Sequence, residues 1–193
     1  MQTITAFLAL LLPLTLSPGP AAIALAGLGM RQGIVKSMPF YFGLLISVFA
    51  IAVASAFGLT AILLANADLY RIVRLAGIAY ILYLGVKFLM AKPTGATLSE
   101  SRYTLRDGML LTALNPKFYA LVVTVFSQFL GTGPYQIWSL IIGFTAVLAF
   151  SQLVWLSAGA SLRPLMTSRK ALRIQSVAFG LSLVAVGLYL LLG

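Results

Sequence analysis

The 193-residue chain contains no cysteine and no histidine, and its three acidic residues are outnumbered by thirteen lysines and arginines. The lack of cysteine excludes disulfides and thiol chemistry. The three acids, Asp68, Glu100 and Asp107, all lie near predicted loops. An enzyme needs nucleophiles, acid–base groups or metal ligands gathered in one place. The composition therefore argues against an enzyme, and we expect neither a metal nor another cofactor.

Charge of either sign is scarce, while apolar residues are abundant. Hydrophobic residues make up 61% of the chain, charged residues 8%, and the mean hydropathy is +1.06. Soluble domains carry about 25% charged residues. A chain this short and apolar cannot hide its hydrophobic surface in one core, so we expect the lipid bilayer to be its solvent. The net charge of +10 does not indicate nucleic-acid binding, because the basic residues lie between apolar stretches.

Apolar runs of about 20 residues, the length that crosses a bilayer, recur along the chain. They predict six transmembrane helices in an all-α integral membrane protein, at residues 3–28, 38–65, 69–90, 108–130, 135–160 and 172–192. The first run could instead be a cleaved signal peptide ending near Ala24-Leu25-Ala26. Nothing basic precedes that run, which disfavours a signal peptide.

Basic residues concentrate in alternate loops. The first, third and fifth loops hold Arg31, Lys36, Lys87, Lys92, Arg102, Arg106, Arg163, Arg169, Lys170 and Arg173. The second loop has Arg71 and Arg74 beside Asp68, and the fourth has no charge. Because positively charged loops stay cytoplasmic, we expect both termini on the opposite side of the membrane. The basic loops are also candidate contacts for anionic membrane lipids.

Proline interrupts two of the predicted spans. Ser17-Pro18-Gly19-Pro20 lies in the first span and Asn115-Pro116-Lys117 in the fourth, each about 12 to 15 Å from the predicted membrane edge. Proline lacks the amide hydrogen that would bind the carbonyl one turn earlier, so each break frees polar backbone groups. Such breaks are typical of transporter substrate sites. The alternative is a pair of packing kinks whose carbonyls bind neighbouring hydroxyls.

The two halves of the chain resemble each other. Leu16-Ser17-Pro18 recurs as Leu114-Asn115-Pro116, and Arg71-Ile72 followed by Gly85 recurs as Arg173-Ile174 followed by Gly187. With three spans in each half, the second half starts from the opposite side of the membrane. We therefore expect one membrane domain built as an inverted repeat, with halves at residues 1–92 and 106–193 joined by a linker at 93–105.

Polar residues beside the breaks are the candidate site. Among the basic residues within the predicted spans, Lys117 alone lies far from a membrane edge. No acid within a span is available to pair with it. A substrate carboxylate could fill that role, with Ser17 and Asn115 as hydrogen-bond partners; alternatively, Lys117 extends its side chain to the membrane surface. Gln152, in the fifth span, either lines the path or binds another helix. The shortage of acids favours neutral over cationic solutes.

The same residues resemble a known family of bacterial membrane proteins. The motifs Leu16-Ser17-Pro18-Gly19-Pro20 and Leu114-Asn115-Pro116-Lys117, with the run from Leu75 to Gly85 and Gly27, Gly33, Gly43 and Gly58, are similar to the LysE/RhtB amino-acid exporters. The resemblance covers nearly the whole chain. It implies export of amino acids or close derivatives across the inner membrane, driven by the proton gradient, and a homodimer.

The chain departs from that family at three positions. Ala21 stands where many members have asparagine, Ile51 where many have histidine, and Gln152 where many have an acid. Two titratable positions are therefore absent, so proton coupling would have to use Lys117, a tyrosine, water or a boundary acid such as Asp107. Two other functions stay open at this point: an exporter of another small solute, or a scaffold subunit that transports nothing.

Overall fold

The structure is a computed structural model that describes residues 2–58, 65–90, 103–129, 134–165 and 168–192, and all regular elements among these residues are helical. The helices are α1 (Gln2–Leu16), α2 (Pro20–Ala56), α3 (Ala67–Leu89), α4 (Leu105–Ala113), α5 (Pro116–Phe129), α6 (Pro134–Ser161) and α7 (Arg169–Leu192), with a 3₁₀ turn at Arg163–Leu165. The all-α prediction is thus confirmed. The end of the second predicted span (59–64), most of the linker (93–102) and the loop at 131–133 lie outside the described residues.

α2 folds back on itself at Gly33, which has φ 80° and ψ 179°. If α2 were straight, Ala22 and Val48 would lie about 39 Å apart, yet both line one small cavity. Only glycine adopts this backbone conformation easily. α2 therefore consists of a first arm (20–32) and a second arm (34–56). The predicted loop between the first two spans (29–37) is corrected to a tight turn, because one glycine suffices to reverse the helix.

Two further interruptions fall where proline predicted them. α1 ends at Leu16 and α2 begins at Pro20, while α4 ends at Ala113 and α5 begins at Pro116. The axes of α4 and α5 differ by 64°. Each break leaves the end of one helix and the start of another side by side, so free backbone carbonyls and amides collect at these two places.

Glycines allow the helices that surround the breaks to pack closely. A side chain at Gly29 would collide with the backbone of α6 at Leu156, and one at Gly159 with the first arm at Ala26. The second arm and α4 approach in the same way, since Gly108 faces the carbonyl of Phe40. The α2 hairpin is therefore held between α6 and α4, which brings the two breaks together.

α3 and α7 form a second close pair. Gly85 of α3 faces Val184 and Gly180 of α7, and Gly187 of α7 faces Leu82 of α3. Gly180 and Gly187 thus form a small-residue face of α7 that packs against α3. Each helix places one glycine against the other helix, so the two contacts are nearly symmetric.

The outside of the helix bundle is apolar. Val35 and Leu192 are more than four-fifths exposed, and Phe42, Ile142 and Phe150 more than half. A surface of this kind is stable in lipid and unstable in water. By length and composition, two described helical segments, Pro20–Ala56 and Tyr135–Leu165, could cross a membrane, or three if Leu105–Ala113 with Lys117–Phe126 counts as one bent span.

Candidate functional site between the two helix breaks

A cavity of about 60 Å³ lies where the two breaks meet. Its apolar walls come from both arms of α2, from α5 and from α6. Its polar lining among the described residues is Thr15, Ser17, Thr112, Asn115, Lys117 and Gln152. The volume admits a few water molecules. Every helix that borders a break contributes to this cavity, so it is the meeting point of the freed backbone groups.

The first break leaves the start of α2 without a side-chain cap. The hydroxyl of Ser17 donates to the carbonyl of Leu14 at 2.8 Å, which is the carbonyl that the missing amide hydrogen of Pro18 would have bound. Gly19, the residue before α2, has no side chain to accept from the first amides of the helix. Gly19 and Ala22 line the cavity, so the positive end of α2 borders it without a capping side chain.

The second break is capped. The side-chain oxygen of Asn115 accepts from the backbone amide of Lys117 at 3.1 Å, as a residue before a helix commonly does. Pro116 occupies the first helical position, where no partner for an amide is needed. The hydroxyl of Tyr119 donates to the carbonyl of Ala113 at 2.7 Å, at the end of α4. This break is therefore held in a fixed shape by its own side chains.

Lys117 connects the two breaks. Its Nζ donates to Ser17 Oγ at 2.7 Å and to the Ser17 carbonyl oxygen at 3.2 Å, although the residues are 100 positions apart. The ammonium thus binds just beyond the last turn of α1, at the negative end of that helix. It also lies against Gly19, where an added Cβ would be 3.3 Å from Nζ. In this structure the lysine side chain is therefore directed towards the first break.

Gln152 borders the cavity from α6. Its amide oxygen Oε1 is buried and accepts no hydrogen bond from any of the residues that the structure describes. One position earlier, Ser151 shares a 2.7 Å hydrogen bond with Thr15 of α1, which joins the two helices beside the cavity. Gln152 therefore borders the cavity, and the neighbouring serine makes a contact between the two helices.

The structure brings six of the eight predicted site residues to one cavity: Ser17, Gly19, Pro20, Asn115, Lys117 and Gln152. Pro18 is exposed and does not line it, and the side chain of Pro116 lies outside the described part of the chain. Sequence reasoning missed Thr15 and Thr112. Each is a polar residue within one turn before a break, a signal that could have found them.

Asp107, the boundary acid, lies away from the cavity residues and has other hydrogen-bond partners. Its carboxylate accepts from the backbone amide of Thr104 at 2.7 Å and from Tyr80 at 3.2 Å, and lies 3.5 Å from Lys87 Nζ. Neither it nor Tyr80 borders the cavity. Burial raises the pKa of neighbouring Tyr103, so that phenol keeps its proton. Asp107 thus caps α4 and anchors α3 to it.

The family described as LysE type translocator matches residues 12–193 of this chain. No curated protein and no solved structure matched. Members of this family are transporters and not enzymes, which agrees with a chain whose apolar helices meet around a cavity with polar residues in its lining. The prediction that the chain is not an enzyme is confirmed. The chain belongs to the LysE type translocator family of membrane transport proteins.

Proposed function

We propose that this protein exports amino acids or close derivatives, neutral ones in preference to cationic ones, driven by the proton gradient. The cavity between the two breaks is the proposed binding site. The observation that carries this proposal is the contact of Lys117 Nζ with Ser17, which joins the breaks around that cavity. A scaffold would need no such charged contact inside a membrane, where an unpaired cation is costly.

The chemical groups around the cavity suit a zwitterion. The uncapped start of α2 and the ammonium of Lys117 both attract a carboxylate. The carbonyl end of α1 at Ser17 attracts an ammonium group. No described lining residue is acidic, so a second positive charge on the solute would remain without a partner. These features favour neutral amino acids over lysine or arginine.

An inverted repeat of three spans in each half is part of the proposal. In the proposed repeat, Gly85 of the first half corresponds to Gly187 of the second, and Leu82 corresponds to Val184. The contact of Gly85 with Val184 therefore corresponds to the contact of Gly187 with Leu82. In the same way, Gly43 faces Leu105 of α4 while Gly143 faces Phe7 of α1. Paired contacts of this kind are expected when two halves are related by a two-fold axis.

A count of six spans follows if α1 with the first arm is one broken span and α4 with α5 is another. The second arm, α3, α6 and α7 then complete the two halves. α3 has 23 residues and α7 has 24, and about 20 suffice to cross. Transport would occur by rocking of the two half-bundles around the fixed site.

Orientation and location are proposed from charge. The turn at Gly33 carries Arg31 and Lys36 beside it, and Arg163 lies near Gly33 as well. Because such groups stay cytoplasmic, both termini would be periplasmic in a bacterial inner membrane. The same basic groups would contact anionic lipids. A homodimer remains a prediction from the family resemblance.

Lys117 is the favoured site of proton coupling. Asp107, the boundary acid considered for this role, already accepts hydrogen bonds from Tyr80 and Thr104 and lies outside the cavity. Lys117 borders the cavity, and its acceptors among the described residues are the hydroxyl and carbonyl oxygens of Ser17. Of these two candidates, Lys117 is therefore the one that lies at the proposed binding site.

The test is uptake into inverted membrane vesicles, where export becomes accumulation, with labelled neutral and cationic amino acids in the presence and absence of a proton gradient. We expect gradient-dependent accumulation of neutral amino acids that Lys117→Ala abolishes. Pro18→Ala and Pro116→Ala should reduce transport more than they reduce the amount of inserted protein. No accumulation of any amino acid, with protein inserted, would favour another solute or a scaffold.

A further inference from the structure

Asp107 joins the two halves of the chain at the end of the bundle where α4 begins. The hydroxyl of Tyr80 in α3 lies within hydrogen-bond distance of the Asp107 carbonyl oxygen, at 3.0 Å, and of its carboxylate, at 3.2 Å. Lys87, two turns further along α3, has its Nζ 3.5 Å from the other carboxylate oxygen. The side chains of Lys87 and Asp107 are only 19% and 16% exposed, so water and salt screen their attraction weakly. We call Tyr80, Lys87 and Asp107 the Asp107 cluster.

Other polar contacts join the halves at the same end. Arg173, at the start of α7, donates to the carbonyl of Leu89 at the end of α3. Gln175, two residues later, donates to the carbonyl of Gly27 in the first arm at 3.1 Å. In the proposed repeat, each of these contacts crosses from one half to the other. This end of the bundle is therefore closed by bonds that would have to break for the halves to separate there.

The Asp107 cluster has no charged counterpart in the repeat. Under the correspondences that define the proposed repeat, its three residues map to Ala9, Ser182 and Tyr189. These side chains cannot form an ion pair with one another. A transporter built as an inverted repeat alternates between two conformations, each open at a different side of the membrane. The cluster therefore stabilises only the conformation that is closed at its own end.

We propose that the Asp107 cluster is a one-sided gate, which keeps this end of the bundle closed in the resting protein and separates when the cavity opens there to take up solute. The inference rests on the proposed function and deepens it, because only a transporter with two conformations needs such a gate. Asp107 lies about 7.5 Å along α4 from Thr112, which lines the cavity. In the proposed orientation this end is cytoplasmic, so the resting cavity is closed to the cytoplasm.

The experiment measures access to the cavity and needs no solute. The full-length protein carries Ala22→Cys as its single thiol, at a position that lines the cavity. A membrane-impermeant thiol reagent is added to inverted and to right-side-out vesicles, and the rate of labelling is measured. Lys36→Cys, at an exposed position beside the turn at Gly33, shows in which preparation the reagent reaches the gated end. The second arm runs from this turn to its contact with α4, so both lie at one end of the bundle.

Three variants separate the gate from the cap of α4. Tyr80→Phe removes the hydroxyl and keeps the ring, and Asp107→Asn removes the charge while keeping a side-chain acceptor for the amide of Thr104. Thr104→Ala is the matched control, because it removes the hydroxyl that accepts from the Asp107 amide at 3.3 Å but leaves Tyr80 and Lys87 in contact with Asp107. Thermal unfolding of each variant identifies those that fail to fold.

We expect Tyr80→Phe and Asp107→Asn each to raise labelling of the cavity thiol from the gated side about tenfold, because each removes an interaction with a charged group. Thr104→Ala should stay within about twofold. Folded variants that label at the unmodified rate, or a Thr104→Ala variant that matches them, would overturn the inference. So would a cavity thiol that, without these changes, reacts from the gated side as fast as Lys36→Cys. These rates do not depend on the solute, whereas failure of the proposed function would appear as absence of uptake in the vesicle assay.

Discussion

The two helix breaks have the same cause but different chemistry. Both follow from proline, yet the first leaves the start of α2 without a side-chain cap, whereas Asn115 caps the start of α5. The first break contributes a carbonyl and a hydroxyl at Ser17, and the second contributes the ammonium that binds them. The first break is thus open to a ligand, and the second is a fixed support that holds a charge.

This difference gives the two breaks unlike roles in the proposed binding site. If both breaks were capped by asparagine, the cavity would lack the backbone donors of α2. If both were uncapped, Lys117 would lose the bond that fixes its backbone. The described arrangement combines free backbone donors from one half with a positioned cation from the other, and both attract the carboxylate of the proposed solute.

Removing the cation should have the largest effect. Lys117→Ala eliminates the bridge to Ser17 and the charge that would bind a carboxylate, so we expect uptake into inverted vesicles to fall about a hundredfold. Lys36→Ala, which changes an exposed lysine near the turn at Gly33, is the control and should remain within about twofold. Equal losses in the two variants would contradict a special role for Lys117.

Adding an acid at the capped break should have the next largest effect. Asn115→Asp keeps a good cap for α5, but its carboxylate would pair with Lys117 and compete with that of the solute. We expect neutral amino-acid uptake to fall about tenfold while the thermal stability is nearly unchanged. Asn115→Ala provides the contrast, since loss of the cap should cost about 1 kcal/mol in stability. An Asn115→Asp variant with wild-type uptake would show that Lys117 does not bind a carboxylate.

Capping the open break should have a moderate effect. Gly19→Ser would supply a hydroxyl that accepts from the first amides of α2, so the first break would come to resemble the second. Its Cβ would lie 3.3 Å from Lys117 Nζ, a contact that the flexible lysine can relieve. We expect a more stable protein whose apparent KM rises about fivefold, because fewer donors are free for the solute. An unchanged KM would mean that these amides do not contact the solute.

Loss of the Ser17 hydroxyl should have the smallest effect of this series. Ser17→Ala removes the donor to Leu14 and one of two acceptors for Lys117, but the Ser17 carbonyl still holds the ammonium. We expect about a threefold loss of uptake and a loss of about 1 kcal/mol in stability. If Ser17→Ala were as severe as Lys117→Ala, the hydroxyl and not the charge would be the main contribution of the bridge.

The sequence predicted features whose causes are local. Proline removes an amide wherever it stands, so the breaks at Pro18 and Pro116 could be located without a structure. The turn at Gly33 was expected only as a longer loop, because a sequence does not reveal how few residues a reversal needs. The contact between Lys117 and Ser17 depends on how distant helices pack, and the unpaired oxygen of Gln152 depends on its surroundings. Neither could be predicted from residue types.

Whether both breaks belong to one binding site can be tested directly, because the chain has no native cysteine. Ala22→Cys at the start of α2 and Thr112→Cys in α4 each place one thiol on the cavity, and Val35→Cys places one on the exposed surface. The measurement is the rate of modification by a small thiol reagent as the concentration of a transported neutral amino acid is raised. We expect the solute to protect both cavity thiols with the same half-maximal concentration and to leave the thiol at position 35 unprotected. Protection of only one cavity thiol, or of neither, would contradict it.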